Sequence, residues 1–289
     1  MRASPPRETA AAADGYELAV ARYPAAGPAW ATMLIAPAMG VRQGFYEPVA
    51  RFFAGHGVHV LTFDYRGMGD SRRGSLRTLD ADVGRWAEQD FDAMLAEAQR
   101  ADERLPLALL GHSLGGQIFG IAPSNERVRA ALHVTVGSGY YRYNERMRLR
   151  VRFLWFVAIP LGTRLAGYFP GRLLRMIDDL PRGVALQWRR WCLHPEYLLA
   201  EGDGARAAFG RVRCPILSWS FDDDVMLPRR AIESLNGFYA NARLEHRHRA
   251  PAEVGARRVG HFGFFSERQG AALWAESLAW LRTALGGAK

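Results

Sequence analysis

Five short runs of this sequence are apolar on both of their alternating sides: residues 32–38 (TMLIAPA), 58–67 (VHVLTFDYRG), 107–113 (LALLGHS), 130–138 (AALHVTVGS) and 215–222 (PILSWSFD). A strand with one wet face alternates polar and apolar residues, so a run apolar on both sides must be covered on both. The stretches between the runs supply the cover. Residues 45–57 (FYEPVARFFAGHG) read as a helix with Gly57 at its C-cap, and residues 80–101 carry helical periodicity with acids in the first turns. Residues 270–285 (GAALWAESLAWLRTAL) read as a C-terminal helix. Strand and helix in alternation predict an α/β fold: a mostly parallel central sheet flanked by helices. Residues 16–24 (YELAVARYP) do alternate, and predict a half-buried edge strand.

With 289 residues, 49% of them hydrophobic and 23% charged, the chain can bury a large core. Its two cysteines, Cys192 and Cys214, have neither disulfide-framework nor metal-site spacing, which predicts a reducing compartment. The first twenty residues lack the apolar core of a signal peptide, and the longest apolar region (residues 153–169) is interrupted by Pro160 and Arg164. The expected location is cytoplasmic. The net charge is +9, and between Arg142 and Arg190 eleven arginines face three acids, Glu145, Asp178 and Asp179. No nucleic-acid-binding motif accompanies that charge, so no nucleic-acid partner is expected.

The strand–helix rhythm breaks once. Residues 140–206 hold no clear strand but many aromatics, among them Phe153, Trp155, Phe156, Trp188 and Tyr197. They predict a helical cap or lid inserted over the carboxyl edge of the sheet, between core segments 1–139 and 207–289. Aromatics beside arginines leave two uses open: an apolar pocket whose basic rim takes an anionic ester or docks on an anionic membrane face, or ordinary packing with a solvated basic exterior.

The apolar run at 107–110 ends in Gly-His-Ser-Leu-Gly-Gly before the chain turns apolar again. A serine hydroxyl becomes a useful nucleophile only when it is exposed, placed beside a base, and provided with donors for the oxyanion. A sharp strand-to-helix turn exposes Ser113, with Gly111 and Gly115 two residues to either side keeping it uncrowded, and aims the Leu114 N–H at the developing charge. With its flanking strand and helix, this pattern resembles the α/β-hydrolase family, and the core motifs look nearest its lysophospholipase and serine-aminopeptidase-like branch.

That resemblance implies an acid and then a histidine downstream of the serine. Asp222, Asp223 and Asp224 close the run at 215–222. Asp224 stands four residues before Pro228, the family's spacing, with Asp223 the competitor. His261, in VGHFGFF, matches the family's histidine loop, and His248 is the substitute. Relatives often carry His-Gly in the loop after the third strand, where this chain has Pro37-Ala38-Met39-Gly40, so the second oxyanion N–H would be that of Met39. The turn at 63–71 (FDYRGMGDS) also matches the family and reads as architectural. The implied activity is a serine hydrolase acting on a small-molecule acyl ester or thioester through an acyl-enzyme, without cofactor or metal. A peptidase of the aminopeptidase-like branch, or a non-catalytic binding protein on the same fold, are the alternatives.

Overall fold

The computed structural model describes residues 8–174 and 176–286. Arg175 of the basic segment and the outer ends of the two expected core segments lie outside these residues. Eight strands form one sheet: β1 (Glu8–Ala11), β2 (Glu17–Tyr23), β3 (Ala31–Ala36), β4 (Val58–Phe63), β5 (Leu107–His112), β6 (Val128–Val134), β7 (Ile216–Phe221) and β8 (Leu244–Arg249). Their order across the sheet is β1-β2-β4-β3-β5-β6-β7-β8. The first two pairings are antiparallel and the remaining five parallel.

Burial explains the parallel part. Every residue of β3, β5 and β7 is buried. Alternate side chains enter two separate cores, Leu34, Leu109 and Ile216 on one face and Ile35, Leu110 and Leu217 on the other. Fully burying each such side chain is worth about 1.5–3 kcal/mol. One face is covered by α2 (Val83–Arg85), which continues through a π-helical stretch (Trp86–Phe91) into α3 (Asp92–Gln99). The other is covered by α1 (Glu47–Gly55) and the C-terminal helix (Glu267–Ala284).

Two details differ from the sequence reading. The strand at 17–23 is not the sheet edge, because the four residues of β1 pair with it; Glu-Thr-Ala-Ala is too short and too weakly apolar to register as a strand. The helix at 83–99 is interrupted by its π turn, where Trp86 Nε1 donates to the Arg66 carbonyl and Asp90 accepts from Arg66 Nε. Arg66 also pairs with Asp14, which ties the turn at 63–71 into the scaffold.

Residues 140–206 are helical. Arg148–Phe153 (here α4) runs through a second π stretch (Leu154–Ala158) into α5 (Ile159–Ala166), followed by α6 (Arg182–Leu193). An isolated bridge between Phe169 and Leu180 is their only strand-like pairing among the described residues. Residue 206 falls inside the next helix, Asp203–Arg211. Among the described residues no helix is long and apolar enough to cross a membrane.

Sheet order positions the site. The chain leaves β3 for β4 on one side, while β5 lies on the other side of β3. The loops after β3 and β5 therefore diverge, and they open a crevice at the carboxyl ends of the strands.

Candidate active site

Ser113 follows β5 with φ 48° and ψ −112°, a backbone that side-chain-bearing residues rarely adopt. Such a conformation costs about 1–3 kcal/mol and persists only where the surroundings hold it. Here the Ser113 N–H donates to the Val134 carbonyl (3.0 Å), and its carbonyl accepts from Gly116 (3.1 Å) and Gln117 (3.2 Å). The turn has no room beside it: a Cβ at Gly111 would lie 2.7 Å from the Gly116 nitrogen, and one at Gly115 would overlap the Ala36 carbonyl. Leu114, the next residue, opens a short helix and so has no intrahelical acceptor for its N–H. Among the described residues neither the Leu114 N–H nor that of Met39 donates to a backbone acceptor outside regular elements, and both residues line the same cavity as Ser113.

The three consecutive aspartates have three different partners. Asp222 accepts from His248 Nε2 at 2.6 Å. Asp223 accepts the backbone N–H groups of Val259 (2.9 Å) and Gly260 (2.8 Å), and so holds the loop that carries the histidine. Asp224 Oδ2 meets His261 Nδ1 at 2.8 Å, while its Oδ1 accepts from Met226 (2.8 Å) and Leu227 (3.0 Å). A carboxylate only accepts, so His261 Nδ1 carries the proton it donates to Asp224, the orientation required of a general base that works through Nε2. Both side chains are buried. His248, the substitute, has both ring nitrogens engaged, by Asp222 and by the Ser220 hydroxyl at 2.7 Å.

One connection is absent from any sequence motif. The His261 carbonyl can only accept, so His112 Nε2, 3.0 Å away, donates to it. Burial, with the nearby His261 adding to it, holds His112 well below the usual imidazole value and hence neutral. His112 Nδ1 must then accept from the Tyr46 hydroxyl at 2.8 Å, and Tyr46 in turn accepts from the Ala38 N–H at 2.9 Å. This chain of hydrogen bonds joins the loop after β3, the serine turn and the histidine loop.

Ser113, His261, Met39 and Leu114 open into one cavity of about 760 Å³. Its far wall comes from residues 140–206, including Tyr141, Phe153, Leu154, Trp155 and Trp188. Two of the polar side chains that reach it are already occupied. Gln117 bonds the Gly137 carbonyl and the Tyr197 hydroxyl, each at 2.7 Å. Asn144 donates to the carbonyls of Val225 and Met226. The rest of the lining is mostly apolar and aromatic, with Arg150 the one Arg or Lys among the described lining residues.

Residues 27–143 match the family described as serine aminopeptidase, S33. No curated protein matches the chain. Among solved structures, it is similar to a soluble variant of monoglyceride lipase from Saccharomyces cerevisiae bound to a substrate analogue, at 14% identity over 99% of this chain and 97% of that one (TM-score 0.69). DcsB in complex with its substrate analogue is similar at 16% identity over 98% and 99% of the two chains (TM-score 0.66). A thermophilic esterase from Thermogutta terrifontis is similar at 17% identity over 97% and 99% (TM-score 0.60). The sheet order, the serine turn after β5 and these full-length similarities agree: the chain has the α/β-hydrolase fold.

Proposed function

We propose that the protein is a serine hydrolase that cleaves carboxylic esters or thioesters of apolar acyl groups, with Ser113 as nucleophile, His261 as general base and acid, and Asp224 as its partner. The observation that carries this reading is the meeting of a buried His261–Asp224 pair and a strained Ser113 in one apolar cavity. His261 Nε2 would take the Ser113 proton as Oγ attacks the acyl carbonyl. The oxyanion would form against the N–H groups of Met39 and Leu114, and Asp224 would stabilise the imidazolium. His261 would then protonate the leaving group and later activate the water that frees the acyl chain. In this reading residues 140–206 are a cap over the core, and the two free thiols, Cys192 and Cys214, fit a cytoplasmic location.

The family match raises an aminopeptidase as the second reading. A free peptide N-terminus is an ammonium and requires an acidic or carbonyl-rich site, yet among the described residues lining the cavity there is no Asp or Glu. The lining therefore favours the ester.

A fluorophosphonate probe followed by intact-mass measurement tests the proposal. The wild type should gain one adduct that is absent in Ser113→Ala and His261→Ala. A folded wild type that takes no label overturns the reading in favour of a non-catalytic protein. Parallel assays with p-nitrophenyl esters and aminoacyl p-nitroanilides separate the two chemistries, and faster anilide cleavage would reverse our preference.

A further inference from the structure

Thirteen large apolar side chains stand exposed among the described residues, and nine of them lie between Leu149 and Met176. Scattered single exposures are ordinary in a soluble protein, but a concentration of this kind marks a contact surface. Five of the nine, Leu149, Phe153, Val157, Leu161 and Leu165, recur every fourth residue along α4, the π stretch and α5. On an ideal helix of 3.6 residues per turn, a four-residue spacing drifts by about 40° at each step. The wider π turn removes part of that drift and helps keep the five on one side. Trp155, Ala158, Ile159 and Thr163 on the other side are buried. The helix is thus apolar both inward and outward, which a helix facing only water is not.

The outer face has a charge. Arg148, Arg152 and Arg164 are exposed on the same helices, and among the described residues no acidic side chain pairs with them. The face also includes the rim of the cavity: Leu149, Phe153, Leu174 and Met176 are both exposed and part of its lining. We propose that this face docks on an anionic lipid surface, its apolar side chains entering the headgroup boundary, the arginines meeting lipid phosphates, and the cavity mouth opening towards the bilayer. An apolar stripe flanked by arginines is the pattern of an interfacial helix, and each arginine adds to binding while the surface charge is unscreened. The inference extends the proposed function by naming where its acyl substrate would come from, and docking can be read without turnover.

Flotation of the full chain with vesicles tests it, using phosphatidylcholine alone and phosphatidylcholine with 30% phosphatidylglycerol, at low and high salt. Wild type and Ser113→Ala should both float with the anionic vesicles and release as salt is raised. Replacing Val157, Leu161 and Leu165 together with Gln should weaken binding more than tenfold, with unchanged hydrolysis of a soluble short-chain ester, since none of the three lines the cavity. Arg148→Gln, Arg152→Gln and Arg164→Gln together should abolish the preference for anionic vesicles and serve as the second variant set if the first misfolds. Failure of the wild type to float, or wild-type binding by both variant sets, overturns the proposal. A wild-type dimer in sedimentation that the Gln variant dissociates would assign the face to a second copy instead. Loss of esterase activity in Ser113→Ala with flotation intact separates the docking from the chemistry.

Discussion

The loops at the carboxyl ends of the strands and the helices of residues 140–206 confront each other across one cavity and are built on opposite physical principles. On the loop side, polar groups hold one another: Asp223 fixes the histidine loop, Asp224 fixes the ring, and the Tyr46–His112 chain spans three loops. Hydrogen bonds are directional, so this side has essentially one arrangement. On the helix side, packing dominates, as in the edge-to-face Trp155–Trp188 pair at 4.7 Å, and much apolar surface is left uncovered. Dispersion has little directionality and tolerates substitution of similar volume. Bond making requires the first kind of surface. In the proposed reading, accommodation of acyl chains of various lengths would use the second.

The contrast is broken most severely by altering the direction of one hydrogen bond. Asp224→Asn leaves volume unchanged but can present an amide donor to His261 Nδ1, favouring the wrong tautomer; a fall of roughly 10³–10⁴-fold in kcat is expected, with near-native circular dichroism. Asp223→Asn, one residue away, keeps one acceptor oxygen but turns an amide donor towards the backbone N–H of either Val259 or Gly260. It should lower kcat about 10-fold to 100-fold and stability by about 1–3 kcal/mol in urea titration. If the two variants lose activity equally, the assignment of Asp224 over Asp223 is wrong.

A change on the opposite wall should have a milder and different effect. Trp155 is buried with its indole N–H unpaired, so Trp155→Leu removes an orphaned donor and enlarges the cavity. The optimum acyl length in a p-nitrophenyl ester series should move to longer chains, with the best kcat/KM within about tenfold of wild type. An unchanged length profile would separate this wall from substrate binding.

The smallest effect concerns a polar group in the sheet that is not paired. Neither ring nitrogen of His133 has a partner, and burial pushes its pKa down to about 3. As pH falls from 6.5 towards 3, the unfolded chain takes up a proton that the folded chain refuses, so this residue removes about 1.4 kcal/mol of stability per pH unit in that window. His133→Leu should flatten the acid limb of the stability profile and add about 1 kcal/mol at neutral pH, read as a rise in Tm of about 2–4 °C. His112, also held neutral by burial, acts in the same direction and would remain.

These residues also show how far the sequence could be read. The parallel strands were legible because a segment buried on both faces has to be apolar throughout, and the serine turn because its glycines answer a local steric requirement. The choice of Asp224 over Asp223 rested on the family spacing to Pro228 alone, since adjacent aspartates share one local chemistry and differ only in partners 26–37 residues away. The Tyr46–His112 bond spans 66 residues and carries no motif. The π turns preserve helical composition while altering register. The outward apolar stripe could not be told from ordinary packing, because composition does not reveal which side of an apolar helix remains uncovered.

The Tyr46–His112 link also has a consequence for inheritance. Losing either partner alone strands the buried group that faced it, and replacing both removes that mismatch while still depriving the Ala38 N–H and the His261 carbonyl of their partners. Positions 46 and 112 should therefore be epistatic: the defect of Tyr46→Phe should depend on which residue occupies position 112. A lineage leaving this arrangement would cross a valley of less fit single mutants, so the loop after β3 and the serine turn are expected to diverge together.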